Sequence, residues 1–240
     1  MSDARAIEAI HQPPERYPEP EAADIVQGTA RALLAAVPVI GGSITETLSL
    51  VLAPAVTRRR DEWFKELANA LDRLEQKFES FKIGELANNE PLISAVIQAT
   101  RAAIATHQPE KRGMLRNALL NSAAGYGPSE ELQEVFIAAI EELSVSHIRI
   151  LNFYWTGLTD LIKAGKWDSL HPYALSNYLT AIGELHPEMK GQGDFLSYLM
   201  TDLKNRGFST ISRPADSFPQ SPGVTNMGVQ FLKFILTPPV

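Results

Sequence analysis

The sequence predicts an all-α fold, mainly a helical bundle, with strands under about a tenth of the chain. Three observations carry that reading. Apolar residues recur at three- and four-residue spacing along most of the length. Helix-start residues stand before those runs: Ser43, Pro91, Pro109, Ser144 and Thr225. Strand character is confined to one short stretch, Phe208-Ser209-Thr210-Ile211-Ser212.

A chain of 240 residues with 45% hydrophobic content can bury a sizeable core as one large domain or two small ones. The formal net charge of −6 gives no bulk attraction to nucleic acid or anionic lipid. The absence of cysteine removes disulfides, thiolate metal sites and cysteine nucleophiles, and fits a reducing compartment. The opening MSDARAIEAIHQPPERYPEP lacks the basic start and apolar run of a signal peptide. The expected location is the cytoplasm or the inner face of a membrane.

Residues 1–20 read as a flexible arm with four prolines, and 1–24 carry six acids against two bases. The next region, 21–82, joins an apolar hairpin to an amphipathic helix. Its segment 33–56 carries one formal charge, Glu46. That length approaches the roughly 20 apolar residues of a membrane span. Pro38, Gly41, Gly42 and Pro54 interrupt it, however, and free backbone groups are costly in lipid. The pattern predicts two short helices, 21–37 and 43–53, turning at Gly41-Gly42, with Ser43 and Glu46 as a capping box. The candidate membrane or partner contacts are Leu33, Leu34, Val37, Val39, Ile40, Ile44, Leu48, Leu50, Val51 and Leu52. Arg58, Arg59 and Arg60 follow as candidate interfacial cations. Three readings stand for this hairpin: buried core, a segment that leaves the bundle and inserts, or an exposed partner patch.

A helix over 58–81 follows, with Phe64, Leu67, Leu71, Leu74, Phe78 and Phe81 at alternating three- and four-residue spacing. This seam packs within the chain or against a second copy. Region 83–142 reads as a helical bundle. Gly84 ends the seam helix, and Asn89 and Pro91 open a helix over 92–106 that is apolar nearly all round. Pro109 opens the next, with Met114, Leu115, Ala118 and Leu119 inward. A loop at Gly125–Pro128 precedes a helix whose stripe is Leu132, Val135, Phe136, Ala139, Ile140 and Leu143.

In region 143–240, Ser144 caps a helix to Thr156, a short one follows over 156–164, and others cover 172–185 and 194–206. After Gly207 come the strand-like stretch, a Pro/Ser-rich loop and a last helix capped by Thr225. The pieces DFLSYLMTDLKNRGFSTIS and TNMGVQFLKFIL resemble the end of a winged-helix domain, through Leu199, Leu203, Gly207, Thr225, Gly228 and Phe231. The whole order is similar to bacterial abortive-infection alpha proteins, and RRRDEWFKELANALDRLEQ is similar in character to the helix after their N-terminal apolar region. The resemblance covers about half the chain. It implies a small C-terminal winged-helix-like unit containing a short β-hairpin, and a role in phage defence or growth arrest. It supplies no catalytic residues.

The chain shows no catalytic motif, so it reads as non-enzymatic, without cofactor or small-molecule substrate. Gly41-Gly42-Ser43 lacks the lysine of a phosphate loop. The histidines, at 11, 107, 147, 171 and 186, are too scattered for a zinc site. His147 reads as a packed or capping residue near a helix start, and Glu141-Glu142 as a solvated face. A winged helix would read DNA with 193–206, whose charges sum to zero, so nucleic acid is disfavoured. Lys204, Arg206 and Arg213 are the candidate contacts if it does bind. Three functions follow: a defence or stress protein acting through protein contacts or membrane perturbation, a winged-helix DNA-binding regulator, and an adaptor with protein contacts only. Protein partners or self-association are expected, and a membrane partner stays open.

Overall fold

The structure, a computed structural model, describes residues 43–78, 81–166, 178–212 and 223–236. The expected arm, the helix over 21–37, the Gly41-Gly42 turn, Leu33, Leu34, Val37, Val39, Ile40 and Arg213 lie outside the described residues, as do the side chains of Ile44, Leu48, Leu50 and Val51. The chain divides into two units, Met1–Leu50 and Val51–Val240. Of the first, 43–50 are helical.

The described residues are mostly helical, as expected. The elements are α1 (Ser43–Lys77), a 3-10 turn (Ile83–Asn88), α2 (Glu90–Ala105), α3 (Pro109–Ala123), α4 (Glu130–Glu142), α5 (Val145–Lys163), α6 (Tyr178–Leu185), a second 3-10 turn (Pro187–Met189), α7 (Gly193–Asn205) and α8 (Asn226–Leu236).

α1 corrects two expectations. The helices at 43–53 and 58–81 are one helix with Pro54 inside it. Proline's fixed φ is helical, so the chain can continue, at the cost of one backbone hydrogen bond and of the ring's clash with the carbonyl four residues earlier, about 3 kcal/mol. The helix ends at Lys77, before Gly84, so Phe81 is buried from beyond the helix. The seam packs within the chain. Its buried line is Trp63, Leu67, Ala70 and Leu74; Phe64, Leu71 and Phe78 flank it half-buried. Trp63 was not among the expected seam residues. Its indole Nε1 donates to Thr100 Oγ1 of α2 at 3.0 Å, which satisfies both polar groups in the core.

α2 starts as expected: Asn89 Oδ1 accepts from the Leu92 amide at 3.1 Å, with Pro91 in the first turn. It is one-sided rather than apolar all round, because Ser94, Ile97 and Arg101 face solvent. α3 is the central helix and packs against α2, α4 and α8. On α4, Val135 is exposed and Ile137 is buried, the reverse of the expected stripe at those two positions. The helices expected on either side of 156 form a single helix, α5.

One core cluster runs from Trp63 to Ile235 and joins the regions read as separate at 142/143. The reason is α8, which returns from the end of the chain to lie on α3 and α5. Asn117 Nδ2 donates to the Ile235 carbonyl at 2.9 Å, and Asn121 Nδ2 to that of Phe234 at 2.8 Å. These are last-turn carbonyls that a helix cannot satisfy by itself.

The motif Thr225-x-x-Gly228-x-x-Phe231 acquires a physical role here. Thr225 Oγ1 accepts from the Gly228 amide at 3.0 Å and donates to the Gly207 carbonyl at 2.6 Å. Gly207 has φ 78 and closes α7 with the Phe208 amide bonded to the Leu203 carbonyl at 3.0 Å, a left-handed stop that suits glycine. A Cβ at Gly228 would press into the Phe208 carbonyl and lie 2.6 Å from Val224 Cγ2. Phe231 stacks on Phe208, with centroids 4.7 Å apart. Among the described residues there is no strand; the ends of the expected hairpin meet in one antiparallel bridge, Ser209 to Val224.

Gly228→Ala is expected to destabilise the chain by about 2–3 kcal/mol, because the obstruction is backbone. Thr225→Ala is expected to cost about 1 kcal/mol, and Thr225→Ser less. Urea midpoints at constant m-value check all three.

Candidate functional site

Two features lie on and behind α7. The first is its outer face. The helix buries Leu196, Leu199, Met200 and Leu203 against α5 and the core, at helical spacing. That orientation turns Phe195 and Tyr198 outward, 44% and 63% exposed. Thr201, Lys204 and Asn205 continue the exposed face. Thr201 Oγ1 bonds to the Ser212 carbonyl at 3.1 Å, and Lys204 Nζ to Ser212 Oγ at 3.3 Å.

The second is a polar cluster where the end of α4, the start of α5 and α7 meet. Ser144 and His147 form a capping box. The Ser144 amide donates to His147 Nδ1 at 3.0 Å, and Ser144 Oγ accepts from the His147 amide at 3.4 Å. Nδ1 is thus an acceptor, and the neutral ring carries its proton on Nε2. Nε2 faces Asp202 Oδ2 at 3.3 Å without hydrogen-bond alignment. Asp202 is held by Arg206 Nε at 2.9 Å, and Arg206 also bonds Glu142 at the end of α4. Lys111 Nζ donates to the Glu141 carbonyl at 2.8 Å, satisfying a last-turn oxygen of the same helix.

Burial holds the His147 imidazole below its ordinary pKa; Arg206 and Lys111 push the same way, and Asp202 opposes them. His186 is lowered too, first by burial. Arg206 is raised, first by its bond to Glu142. The residue types serine, histidine and aspartate meet here. Their bonds are those of a helix start tied to a neighbouring helix, with the serine oxygen held as a cap.

The structure disperses the remaining sequence candidates. Arg58 is exposed and 4.0 Å from Glu62, Arg59 donates to the Ile104 carbonyl at 3.4 Å, and Arg60 pairs with Asp61. Leu52 is exposed. Lys204 remains at the surface, whereas Arg206 is spent on Glu142 and Asp202. The sequence reading left out Phe195, Tyr198, and the Glu142–Asp202–Arg206 link. The spacing of Asp202 to Arg206 signals an ion pair along the helix; nothing local connects either to residue 142. Among the described residues, no helix is long and apolar enough to cross a membrane, and no three acids or histidines group as a metal site.

No family model, curated protein or solved structure matches the chain.

The histidines set a pH dependence. The unfolded chain takes up protons near pH 6.5, and the folded chain only at lower pH. Their stability contribution is therefore complete above pH 6.5 and is lost as pH falls through the folded values. The urea midpoint is expected to drop between about pH 7.5 and about pH 5.5. His147→Gln, which retains a capping-box side chain, is expected to flatten that slope while keeping most stability at neutral pH. An unchanged slope counts against His147 as a contributor.

Proposed function

We propose that this chain is a non-enzymatic protein of the abortive-infection kind, in which a winged-helix-like unit at 143–240 serves as a protein-contact module in the cytoplasm. The observation that carries this reading is the outer face of α7. The helix in the reading position presents Phe195 and Tyr198, aromatic types enriched at protein interfaces. Its arginine is already neutralised by Glu142 and Asp202. Phosphate binding draws on free cations, so the DNA-regulator reading is the weaker one. Fold likeness alone does not separate the two uses.

A second reading concerns the end of the apolar segment. Leu52 is 56% exposed and precedes the exposed Arg58 by less than two turns. An exposed apolar residue followed along the same helix by an exposed cation suits contact with a membrane surface or an acidic partner.

The test is expression in a bacterial host challenged with phage. Wild type is expected to lower plaque yield, and Phe195→Ala with Tyr198→Ala to abolish that effect with a modest fall in thermal melting, since Tyr198 also meets the His147 ring edge-on. Purified protein is expected to give no mobility shift with duplex DNA at low salt. A shift lost on Lys204→Glu would favour the regulator instead. Leakage of anionic liposomes that is reduced by Leu52→Asp would move the mechanism to the membrane.

A further inference from the structure

We propose that His147 is an acid-sensitive latch between the first turn of α5 and the outer face of α7. With a neutral ring the latch holds Tyr198 and Asp202 in place; on taking up a proton it opens. The consequence for partner contact rests on the role proposed above for Phe195 and Tyr198, whereas the latch itself does not.

The geometry is built for a neutral ring. Nδ1 accepts from the Ser144 amide at 3.0 Å, so that nitrogen presents a lone pair. A protonated ring carries hydrogen on both nitrogens. The Ser144 N–H would then face another N–H, and the capping box at the start of α5 would lose that bond. Ser144 Oγ, 2.9 Å from Nδ1, can take the new proton but gives the amide no acceptor in return. On the other side of the ring, Nε2 is buried and has no aligned acceptor among the described residues. Asp202 Oδ2, 3.3 Å away, is already taken by Arg206 Nε at 2.9 Å. A cationic ring would compete with Arg206 for that one oxygen.

The charges around the ring come from three helices. Asp202 and Arg206 face it from α7 and Lys111 from α3, while at the end of α4 Glu142 pairs with Arg206 and Glu141 attracts Lys111. Burial and the two cations oppose a proton on the ring, Asp202 favours it, and the balance lies against the proton. Acid therefore favours an open form in which the ring reaches water and titrates at its ordinary value. The shift toward that form is at most about tenfold one pH unit below that value. The Tyr198 ring meets His147 edge-on with centroids 6.4 Å apart, so the movement reaches the outer face of α7. The buried Leu196, Leu199, Met200 and Leu203 hold α7 on the bundle from its other side, which confines the change to the junction. The contact face is thus presented at neutral pH and lost as the surroundings acidify.

Nuclear magnetic resonance of the full chain between about pH 7.5 and about pH 5.5 tests the latch. The His147 ring nitrogens are expected to titrate below the ordinary histidine value, and the Tyr198 ring signals to shift with the same midpoint. Exchange of the Ser144 and His147 amides, corrected for its intrinsic pH dependence, is expected to speed up about three- to tenfold. The Trp63 indole, bonded to Thr100 in the core, is expected to stay unchanged. His147→Gln keeps an acceptor for the Ser144 amide and is expected to fix the Tyr198 signals across the range. His186→Gln is expected to leave the wild-type response. The wild-type comparison of His147 with Tyr198 needs no variant. The latch is overturned if His147 titrates without moving Tyr198, or if the ring stays neutral throughout. It is equally overturned if Tyr198 responds in His147→Gln as in wild type, or if Trp63 changes in step, which would mark global unfolding. A coupled Tyr198 shift, together with undiminished plaque reduction by the Phe195 and Tyr198 double variant, upholds the latch and removes only the contact role.

Discussion

The structure depends on the seating of α8 against the middle of the chain. Phe231 and Phe234 of this helix meet Phe136 of α4 at centroid distances of 5.2 and 5.9 Å, while Phe208 stacks on Phe231. Each such aromatic pair adds about 0.5–1.5 kcal/mol beyond the area it buries. The cluster forms only if α8 approaches the turn after α7 closely, which Gly228 permits by having no Cβ. Asn117 and Asn121 then close the far end of α8 by taking its last carbonyls. A segment more than a hundred residues away in sequence thus completes the core of the central helix.

Polar side chains that bridge helices serve the same assembly. Trp63 with Thr100 in the core, and Lys111 with the Glu141 carbonyl and Arg59 with the Ile104 carbonyl nearer the surface, each tie one helix to another. Arg206 links α7 to α4 through Glu142. At α7, Arg206 is held by Glu142 and Asp202, while Lys204, Phe195 and Tyr198 stay at the surface.

Much of the architecture was legible because it rests on local chemistry. Asn89 and Ser144 act as caps where the sequence places them, and Thr225 heads the final helix through its bond with the Gly228 amide. The interruptions were read less well. Pro54 suggested a break, yet the helix passes through it, and the side chains it buries from Trp63 to Leu74 hold the continuation in place. Val135 shared the spacing of its buried neighbours and still faces out, because spacing defines a stripe without saying how much of it the neighbouring helix covers. Trp63 went unrecognised beside Phe64, one position off the apparent seam. The strand-like Phe208–Ser212 stretch appears as a single bridge, with Ser209 Oγ bonded to the carbonyls of Ile211 and Gly223 instead of a continuous ladder.

By itself the sequence determined the helical class, most helix starts and the closing Thr-x-x-Gly-x-x-Phe turn, since periodicity, caps and glycine positions act within a few residues. The tertiary structure alone decided which apolar faces are covered, which cations remain free, and that His147 shares a cluster with Asp202, Arg206 and Glu142. Those are properties of helices brought together from distant parts of the chain. Burial and pairing arise only from that meeting, and no local pattern encodes the angle or the depth at which it occurs.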